Sequence, residues 1–367
     1  MEWKKLDTIA NISIGEFVHK DKQSPNAAYP VYNGGVSHTG FYDNYNNTEN
    51  KIVISARGAT AGFVNRVFCK YWAGNSSYSI DVNPLFASWT FVFYYLKNYQ
   101  HKLISDQQKG GGIPSISKKQ VQDILIPVPT LKEQNRIVGI LDTFTASIEN
   151  LKEQIAQRRK QFEHYRDQLL DLEGKEKNII PFGDVCEMIK GNGVQKADFV
   201  DEGVGCIHYG QIYTHYGSFT YTTNKFVSKE TFEKARKASK GDIVMTDTSE
   251  NVEDICKSVA YLGDEDIAVS NHALILKHKQ NPKFLSYCTL TKSFFNQKRK
   301  VVVGVKVSGI KPEHLAQIKI YLPPISEQNR IVSILDAFEA IITNLEAQLS
   351  QREKQYEYYR NKLLTFD

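Results

Sequence analysis

The sequence predicts an α+β fold with a pseudo-twofold internal repeat, in which two globular α/β modules are separated by two long helices that pair as an antiparallel coiled coil. One segment occurs twice, its apolar residues recur every three or four positions, and the rest of the chain consists of short β-rich runs between turn residues. The predicted parts are a module at 1–129, a helix at 130–172, a linker at 173–181, a second module at 182–323 and a second helix at 324–367.

The repeat is the strongest of these observations. Pro129 to Leu170 aligns without gaps on Pro323 to Leu364 at an offset of 194, and 25 of the 42 positions are identical. A weaker match relates Leu6–Gly15 to Phe182–Gly191 at an offset of 176. Because the helices have stayed alike while the modules diverged, we infer that both helices meet the same partner, or each other, and that the modules meet different targets. Recent duplication with faster drift in surface loops is the alternative.

Both copies of the segment have a heptad pattern. In the first copy the apolar or large residues are Ile137, Leu141, Phe144, Ile148, Leu151, Ile155, Phe162, Tyr165 and Leu169. In the second they are Ile331, Leu335, Phe338, Ile342, Leu345, Leu349, Tyr356, Tyr359 and Leu363. Such spacing is typical of a coiled coil, and each helix is the simplest cover for the other. Arg158 and Arg352 interrupt the two series, where they either fix the register by reaching a carboxylate or backbone group or extend into water.

The modules mix short strands with turns and a few helices. Predicted strands include Lys51–Ser55, Gly62–Val64, Asp242–Met245 and His272–Leu276. Helices are predicted at Ser88–Ile104 and Pro282–Lys298. Each module is therefore expected to be an α+β unit with loop-rich edges.

The composition is that of a globular protein, with 41% hydrophobic and 24% charged residues. No apolar run approaches the roughly 20 residues of a membrane helix, and the N-terminus lacks the apolar core of a secretory signal, so we expect a cytoplasmic location. The cysteines are scattered and never spaced as C-x-x-C, which argues against disulfides and a zinc site and predicts buried, reduced thiols. They are Cys69, Cys186, Cys206, Cys256 and Cys288.

The net charge of +5 is modest but unevenly distributed. Residues 1–129 hold 13 basic and 9 acidic side chains, and residues 179–323 hold 19 and 16, whereas the helical segments together have a small acidic excess. A polyanion would therefore dock on the modules, with an ordinary solvated surface as the alternative.

Polar, aromatic and basic loops in the modules are candidate DNA contacts. Arg, Lys, Asn, Gln and His bond base edges and phosphates, and glycine lets a backbone approach the duplex closely. The candidates in the first module are Tyr32, Asn33, Gly34, Ser37, His38, Arg57, Lys109, Gly110 and Gly111. Those in the second are Lys190, Asn192, His208, Tyr209, Gln211, Tyr213, Lys298, Arg299 and Lys306.

Motifs of enzymes that modify or cut DNA are absent from the sequence. There is no Asn/Asp-Pro-Pro-Tyr/Phe loop of an amino-methyltransferase and no Gly-x-x-x-x-Gly-Lys-Ser/Thr phosphate loop. The string nearest to a nuclease cluster, Asp171, Glu173 and Lys175, lies at a predicted helix end and has the composition of a solvated surface. The histidines lack the i, i+4 spacing of a zinc helix. The sequence therefore favours a binding protein without a catalytic or metal site.

The chain resembles the specificity subunit of type I restriction-modification systems over its full length. The resemblance depends on the duplicated Glu-Gln-Asn-Arg-Ile-Val-x-x-Leu-Asp run that begins at Glu133 and Glu327, on the Ile-Pro-Val-Pro and Leu-Pro-Pro segments before it, and on the alternation of module and helix. It implies that the modules are target recognition domains, each reading one half of a split, asymmetric DNA target. It also implies that the helices are conserved spacers that set the distance between half-sites.

The same resemblance implies a role in phage defence and a set of partners. They are double-stranded DNA, two modification (methyltransferase) subunits, and restriction subunits that translocate DNA. S-adenosylmethionine, ATP and magnesium would be held by those subunits, with no cofactor in this chain. By resemblance, the docking region contains Glu133, Gln134, Arg136, Glu327, Gln328 and Arg330. A coiled-coil scaffold whose modules bind protein is the alternative function, and a single-chain nuclease is a more distant one.

Overall fold

The computed structural model describes residues 1–107, 112–304 and 308–366. The chain divides into two compact units, one formed by residues 1–152 and 347–367 and the other by residues 153–346. Each unit therefore contains one module, the first part of the long helix that follows this module, and the last part of the other long helix.

In the first unit, the described residues before the first long helix form short strands and three short or medium α-helices. Its strands are β1 (Glu2–Lys5), β2 (Ala10–Ile14), β3 (Tyr29–Tyr32), β4 (Gly40–Tyr42), β5 (Lys51–Ser55), β6 (Val64–Val67), β7 (Trp72–Ala73), β8 (Ser77–Val82) and β9 (Leu125–Val128). Its helices are α1 (Leu6–Ile9), α2 (Trp89–Ser105), α3 (Lys118–Gln122) and α4 (Leu131–Leu170). The sheets have the orders β2-β8-β5-β6, β4-β3-β7 and β1-β9.

The second unit repeats this plan with additional strands. They are β10 (Ile179–Pro181), β11 (Glu187–Lys190), β12 (Phe199–Val200), β13 (Val204–Ile207), β14 (Phe219–Thr220), β15 (Lys225–Val227), β16 (Arg236–Ala238), β17 (Ile243–Thr246), β18 (Thr248–Ser249), β19 (Ser258–Tyr261), β20 (Ile267–Val269), β21 (Ala273–Lys277), β22 (Ser308–Gly309) and β23 (Lys319–Tyr321). The helices are α5 (Tyr209–Thr214), α6 (Lys229–Lys234), α7 (Pro282–Thr289), α8 (Lys292–Val301), α9 (Pro312–Ala316) and α10 (Ile325–Leu364). The sheets have the orders β11-β21-β17-β19-β14, β12-β15-β13-β20-β16, β10-β23 and β18-β22.

The first and last strands of each module pair antiparallel, β1 with β9 and β10 with β23. The second pair corrects the predicted linker at 173–181, because its last three residues belong to β10. Ile180 lies opposite Ile320, and the Phe182 N–H donates to the Ile318 carbonyl at 2.7 Å. The apolar pair Ile179-Ile180 therefore joins the second module instead of extending into solvent.

The two long helices pack antiparallel within each unit. In the first unit, the Phe144 ring stacks on Tyr359 with centroids 5.4 Å apart. In the second, Tyr165 stacks on Phe338 at the same distance. These two contacts are equivalent under the offset of 194, as the internal repeat predicts. The α+β fold class with an antiparallel helix pair is thus confirmed.

The arginines that interrupt the heptads do not fix the register through a carboxylate. Arg158 donates to Gln161 on its own helix at 2.8 Å, and the Arg352 guanidinium lies 5.7 Å from the Phe144 ring centre. Ionic contacts between the helices involve the next residue in each copy, since Arg159 donates to Glu346 at 2.5 Å and Glu353 lies 3.1 Å from Lys152.

The end of each long helix completes a hydrophobic core. Leu364, only 3% exposed, packs in the cluster that contains Leu6, Phe91 and Leu141, and Phe366 packs against the same cluster. Leu170, also 3% exposed, belongs to the second unit's core with Leu335. Among residues 1–107, 112–304 and 308–366, no helix is both long and apolar enough to cross a membrane.

Candidate nucleic-acid interface

The best-placed candidate residues lie in equivalent positions of the two modules, after a pair of parallel strands. In the first module β3 runs parallel to β7, with Tyr32 opposite Ala73. In the second, β13 runs parallel to β20, with Ile207 opposite Val269. Because the carboxyl ends of parallel strands meet at one edge, the residues that follow them lie side by side.

In the first module this edge borders an open cleft of about 1130 Å³. Of the predicted residues, Asn33 and His38 line it, together with His19 and Lys20. The Asn33 side-chain oxygen accepts a hydrogen bond from the Ser76 N–H at 3.0 Å, which holds the amide in place. The cleft therefore has imidazole, amide and ammonium groups within one concave surface.

The loop after β3 is anchored to the neighbouring sheet. Gly34 and Gly35 have φ angles of 78° and 107°, which other residues rarely adopt. The Ser55 hydroxyl donates to the Gly35 carbonyl at 2.7 Å, and a Cβ on Gly34 would lie 3.1 Å from the Arg57 carbonyl. The structure thus brings the predicted loop at 32–38 next to the exposed Arg57, while Ser37 is exposed on the loop itself.

In the second module the equivalent edge borders a smaller cleft of about 340 Å³. Its lining contains the predicted residues His208 and Tyr209, together with Lys196 and His272. The rings of His208 and Tyr209 have centroids 4.4 Å apart, and those of Tyr209 and His272 are 5.4 Å apart. This cleft is therefore more aromatic than the first.

The surroundings of His208 favour the neutral form of its imidazole. Burial, with the nearby charges of Lys196 and His272, lowers its pKa below the ordinary 6.5. Its Nδ1 accepts a hydrogen bond from the Gly210 N–H at 3.2 Å, so the neutral ring has its proton on Nε2. The side chain can act as a hydrogen-bond donor without a net charge.

Several other candidates have their polar atoms engaged within the module. The segment predicted as a loop at His208–Tyr213 forms α5, because the Gln211 side chain closes a capping box with His208. Gln211 is buried and also donates to Asn224, and the Tyr213 hydroxyl donates to the Thr248 carbonyl. The expectation of free, loop-borne side chains at Gln211 and Tyr213 is therefore wrong.

The prediction of a loop around Lys298 is also wrong. Lys298 and Arg299 lie on α8, and the Lys298 ammonium is buried, where it donates to the Glu253 and Ile255 carbonyls at 3.1 and 2.6 Å. Burial lowers its pKa. Lys298 therefore ties a loop to the helix, whereas Arg299 is exposed.

Two further candidates are exposed but have intramolecular partners. The Lys190 ammonium lies 3.2 Å from the Asp247 carboxylate, and the Asn192 side chain accepts from the Arg236 N–H at 2.8 Å. The predicted contacts Lys109, Gly110, Gly111 and Lys306 lie outside the described residues.

Lys20 and Lys196 also line the two clefts, at equivalent positions, and were not among the residues predicted from the sequence. The signal was present, because the alignment of the module starts extends past Gly15 and Gly191 as Gly-x-x-Val-x-Lys in both copies. Glycine is required at both positions because there is no room for a side chain. A Cβ would lie 2.2 Å from the Ala73 carbonyl oxygen at Gly15 and 2.3 Å from that of Ser270 at Gly191.

The predicted docking residues divide into two groups. Arg136 forms a two-bond ion pair with Glu133 at 2.9 and 2.7 Å, and Arg330 forms the same pair with Glu327 at 2.7 Å for both bonds. These hydrogen bonds hold the pKa values of the two carboxylates below their ordinary 4.5. Each pair lies at the exposed start of a long helix, beside an exposed apolar residue, Leu131 or Ile325.

The glutamines next to these ion pairs face inward. Gln134 is 0% and Gln328 is 1% exposed. The Gln134 oxygen accepts from the Ser88 N–H at 2.8 Å and its nitrogen donates to the Pro129 carbonyl at 2.9 Å. Gln328 makes the matching bonds with Asn281 and Pro323 at 3.1 and 2.8 Å. Both glutamines join a helix to its own module.

Among the described residues, no group of three or more His, Cys, Asp and Glu side chains is arranged to hold a metal ion. The five cysteines are free thiols, and four of them are buried. Burial raises the pKa of Cys186 to about 12. Cys69 is exposed, which corrects the expectation that all five are buried.

Comparison with known proteins gives a consistent family match. A family model described as the type I restriction modification DNA specificity domain matches residues 1–158 and 174–352. A putative type I restriction enzyme specificity subunit of Haemophilus influenzae is 27% identical, over 100% of this chain and 96% of its own length. The EcoR124I/EcoR124II specificity subunit of Escherichia coli is 27% identical, over 75% of this chain and 70% of its own.

Two solved structures share the fold. A crystal structure of the type I restriction-modification S subunit from M. genitalium has a TM-score of 0.65 at 18% identity and covers 100% of this chain and 96% of its own. A chain from a study of complex assembly and conformational transition of the type I restriction-modification system has a TM-score of 0.59 at 16% identity, with coverage of 100% and 98%.

Proposed function

The chain belongs to the family of type I restriction modification DNA specificity domains, and from this premise we propose that its two modules read two different halves of one split DNA target. As a type I specificity subunit it is a non-catalytic DNA-recognition subunit that works with other restriction-modification subunits. The observation that supports the split target is the pair of equivalent clefts with different linings. Asn33 and His38 line one, whereas His208, Tyr209 and His272 line the other.

Base edges in the major groove are distinguished by the donors and acceptors that a side chain offers. An amide such as Asn33 suits adenine, whereas a neutral imidazole donor such as His208 suits an acceptor on a purine. Because the linings differ, the two halves of the target should differ, and the target should be asymmetric. The paired 40-residue helices would fix the spacing between the halves.

Expression of the chain with its modification subunit, in a host that lacks other DNA methylation, tests this proposal. We expect the genome to carry one new methylated motif, consisting of two unlike halves with a fixed gap. The chain expressed alone should produce no methylation. A continuous motif, or two identical halves in inverted orientation, would contradict the proposal.

We also propose that the exposed starts of α4 and α10 each dock one modification subunit. The support is their likeness, since Leu131 with the Glu133–Arg136 pair is matched by Ile325 with the Glu327–Arg330 pair. Two like surfaces suit two copies of one partner. These partners would supply S-adenosylmethionine, and restriction subunits would supply the ATP- and magnesium-dependent steps, all in the cytoplasm where the DNA lies.

The docking proposal predicts a stoichiometry. Arg136→Glu should leave one modification subunit bound instead of two, as should Arg330→Glu, and the double variant should bind none in native mass spectrometry. Lys132→Ser is the matched control, because the second copy already has Ser326 there. Loss of both partners from one single variant would refute independent docking surfaces.

A further inference from the structure

We propose that Lys20 and Lys196 are a matched pair of phosphate contacts, which hold each module on the DNA backbone without reading its sequence. The residues that differ between the clefts then read the bases. This inference rests on the proposed function, because it assigns backbone binding to the residue that the two clefts share and base reading to the residues that differ between them.

A closely packed glycine precedes each lysine and fixes the path of the backbone there. Gly15 and Gly191 each press against a carbonyl at the end of the neighbouring parallel strand, where a side chain would collide. In the first module the Glu16 N–H donates to the Ala73 carbonyl at 2.8 Å, and in the second the Gly193 N–H donates to the Asn271 side chain at 3.0 Å. The segment after each glycine is thereby tied to the strand edge that borders the cleft.

The next part of the segment is matched as well. Val18 is 5% and Val194 is 1% exposed, so each valine anchors its segment in the interior. Two residues later the chain enters a short 3-10 turn, at Lys20–Lys22 in one module and Lys196–Asp198 in the other. A buried valine followed by a turn therefore brings an exposed lysine to the border of each cleft.

The residues around the lysines are not matched. His19 corresponds to Gln195 at the offset of 176, and Asn33, which follows β3, corresponds to His208, which follows β13; all four line the clefts. Among the equivalent lining residues, only the valine and the lysine are the same in both modules. Retention of one charged side chain at the border of two divergent clefts points to a ligand feature that both half-sites share.

That shared feature is the phosphate backbone. Lysine is a compact point charge on a flexible stem, and phosphate contacts position a protein on a duplex but carry no sequence information. Neither ammonium forms an ion pair with a described carboxylate, whereas Lys190 at the second cleft's approach is paired with Asp247. Lys20 and Lys196 are therefore available to a phosphate group.

The test uses the full chain in complex with its modification subunits and DNA that carries the mapped target. In a plot of log affinity against log salt concentration, the affinity falls with a constant slope. Lys20→Gln and Lys196→Gln should each make this slope less steep by about 0.9, the value for one phosphate contact. The advantage of the wild type over either variant should therefore shrink about 3.5-fold between 50 and 200 mM salt. The methylated motif should remain unchanged.

Two controls separate this effect from general loss of charge and from base reading. Lys22→Gln removes another exposed lysine, whose counterpart is Asp198, and it should leave the salt slope unchanged. Tyr209→Ala should relax one half of the methylated motif and leave the slope unchanged. Because the substituted lysines are exposed, the melting temperatures of both lysine variants should match that of the wild type.

The inference is overturned if either lysine variant alters the motif, or if Lys22→Gln lowers the slope as much as Lys20→Gln. It is also overturned if the slopes of Lys20→Gln and Lys196→Gln equal that of the wild type. These outcomes concern variants of a chain whose wild type still methylates a split motif. Failure of the proposed function would instead appear in the wild type itself, as the absence of that motif.

Discussion

Two buried glutamines, Gln134 and Gln328, hold the start of each long helix against its own module. We expect Gln134→Ala to lower the free energy of unfolding of the first unit by about 1–3 kcal/mol, because the Ser88 N–H and the Pro129 carbonyl lose their partner in a partly buried place. Denaturation in urea measures the change. If the variant keeps its stability but loses its modification subunit, the glutamine belongs to the docking surface after all.

Glu339 is a half-buried carboxylate in the second unit. It accepts a hydrogen bond from the Ser218 hydroxyl at 2.8 Å, and burial raises its pKa above the ordinary 4.5, with the Asp336 charge adding to the effect and Lys283 opposing it. Thr145 occupies the equivalent position in the first copy. The folded state therefore binds a proton more tightly than the unfolded state.

From this shift we predict a pH dependence. The wild type should lose stability as the pH rises from about 4.5 through the raised pKa, since unfolding then releases a proton that the folded state holds. Glu339→Gln retains an acceptor for Ser218 without the charge, and we expect it to raise the free energy of unfolding at neutral pH relative to that of the wild type. Thermal melts from pH 4 to pH 8 compare the two. A constant difference across that range would show that Glu339 does not titrate differently in the folded state.

Residue types could be predicted from the sequence more readily than their surroundings. Asn33, His38, His208 and Tyr209 were found from their chemistry and do line clefts. Lys298 has the same chemistry as an exposed lysine, but the carbonyls that enclose it lie more than 40 residues earlier in the chain. A contact of that separation leaves no local pattern.

Two ionic contacts join the long helices, and in both of them the first helix supplies the basic residue and the second helix the acidic one. Lys152 lies 3.1 Å from Glu353, and Arg159 lies 2.5 Å from Glu346. Lys152 is equivalent to Glu346, and Arg159 to Glu353, so the first helix is basic and the second acidic at both positions. Two copies of one helix in this register would bring like charges together.

A charge exchange tests the contribution of one bridge. Lys152→Glu should lower stability by less than about 1 kcal/mol, because the pair is exposed, and Glu353→Lys added to it should restore the loss. The double-mutant cycle should give a coupling energy that falls as salt rises. A coupling energy of zero at low salt would mean that the bridge contributes nothing to the pairing.

The length of an element decided how well the sequence predicted it. The helices predicted at 130–172 and 324–367 occur at Leu131–Leu170 and Ile325–Leu364, since a heptad pattern over 40 residues is a long signal. The helix predicted at Pro282–Lys298 is instead two helices, because Thr291 caps the start of the second. The six-residue α5 was missed, since its start depends on a capping box between His208 and Gln211.

At the scale of the whole molecule, each module depends on residues from the other half of the sequence. Leu364→Ala should destabilise the first unit by about 2–5 kcal/mol, the usual cost of emptying a buried leucine site. Leu170→Ala should do the same to the second unit. Hydrogen exchange resolved along the chain should show faster exchange in one unit for each variant. Equal acceleration in both units would contradict this division.

The repeat predicted the plan of the molecule but not the place of its candidate sites. The matched helices are visible in the sequence because their contacts repeat at a fixed spacing. The clefts are formed by strands of two to four residues, β3 with β7 and β13 with β20, whose parallel pairing joins residues that are 41 and 62 positions apart. Only the structure shows that Asn33 and His208 are counterparts.

The completion of each core by the far half of the chain also affects synthesis on the ribosome. Residues 1–152 emerge nearly 200 residues before the segment 347–367 that belongs to the same unit. During that interval the sites of Leu364 and Phe366 stay open to water, and the apolar face of α4 lacks its cover. Nascent chains of this protein should therefore need chaperones until the second long helix has been synthesised, which is longer than for a module of this size that completes its core without a distant segment.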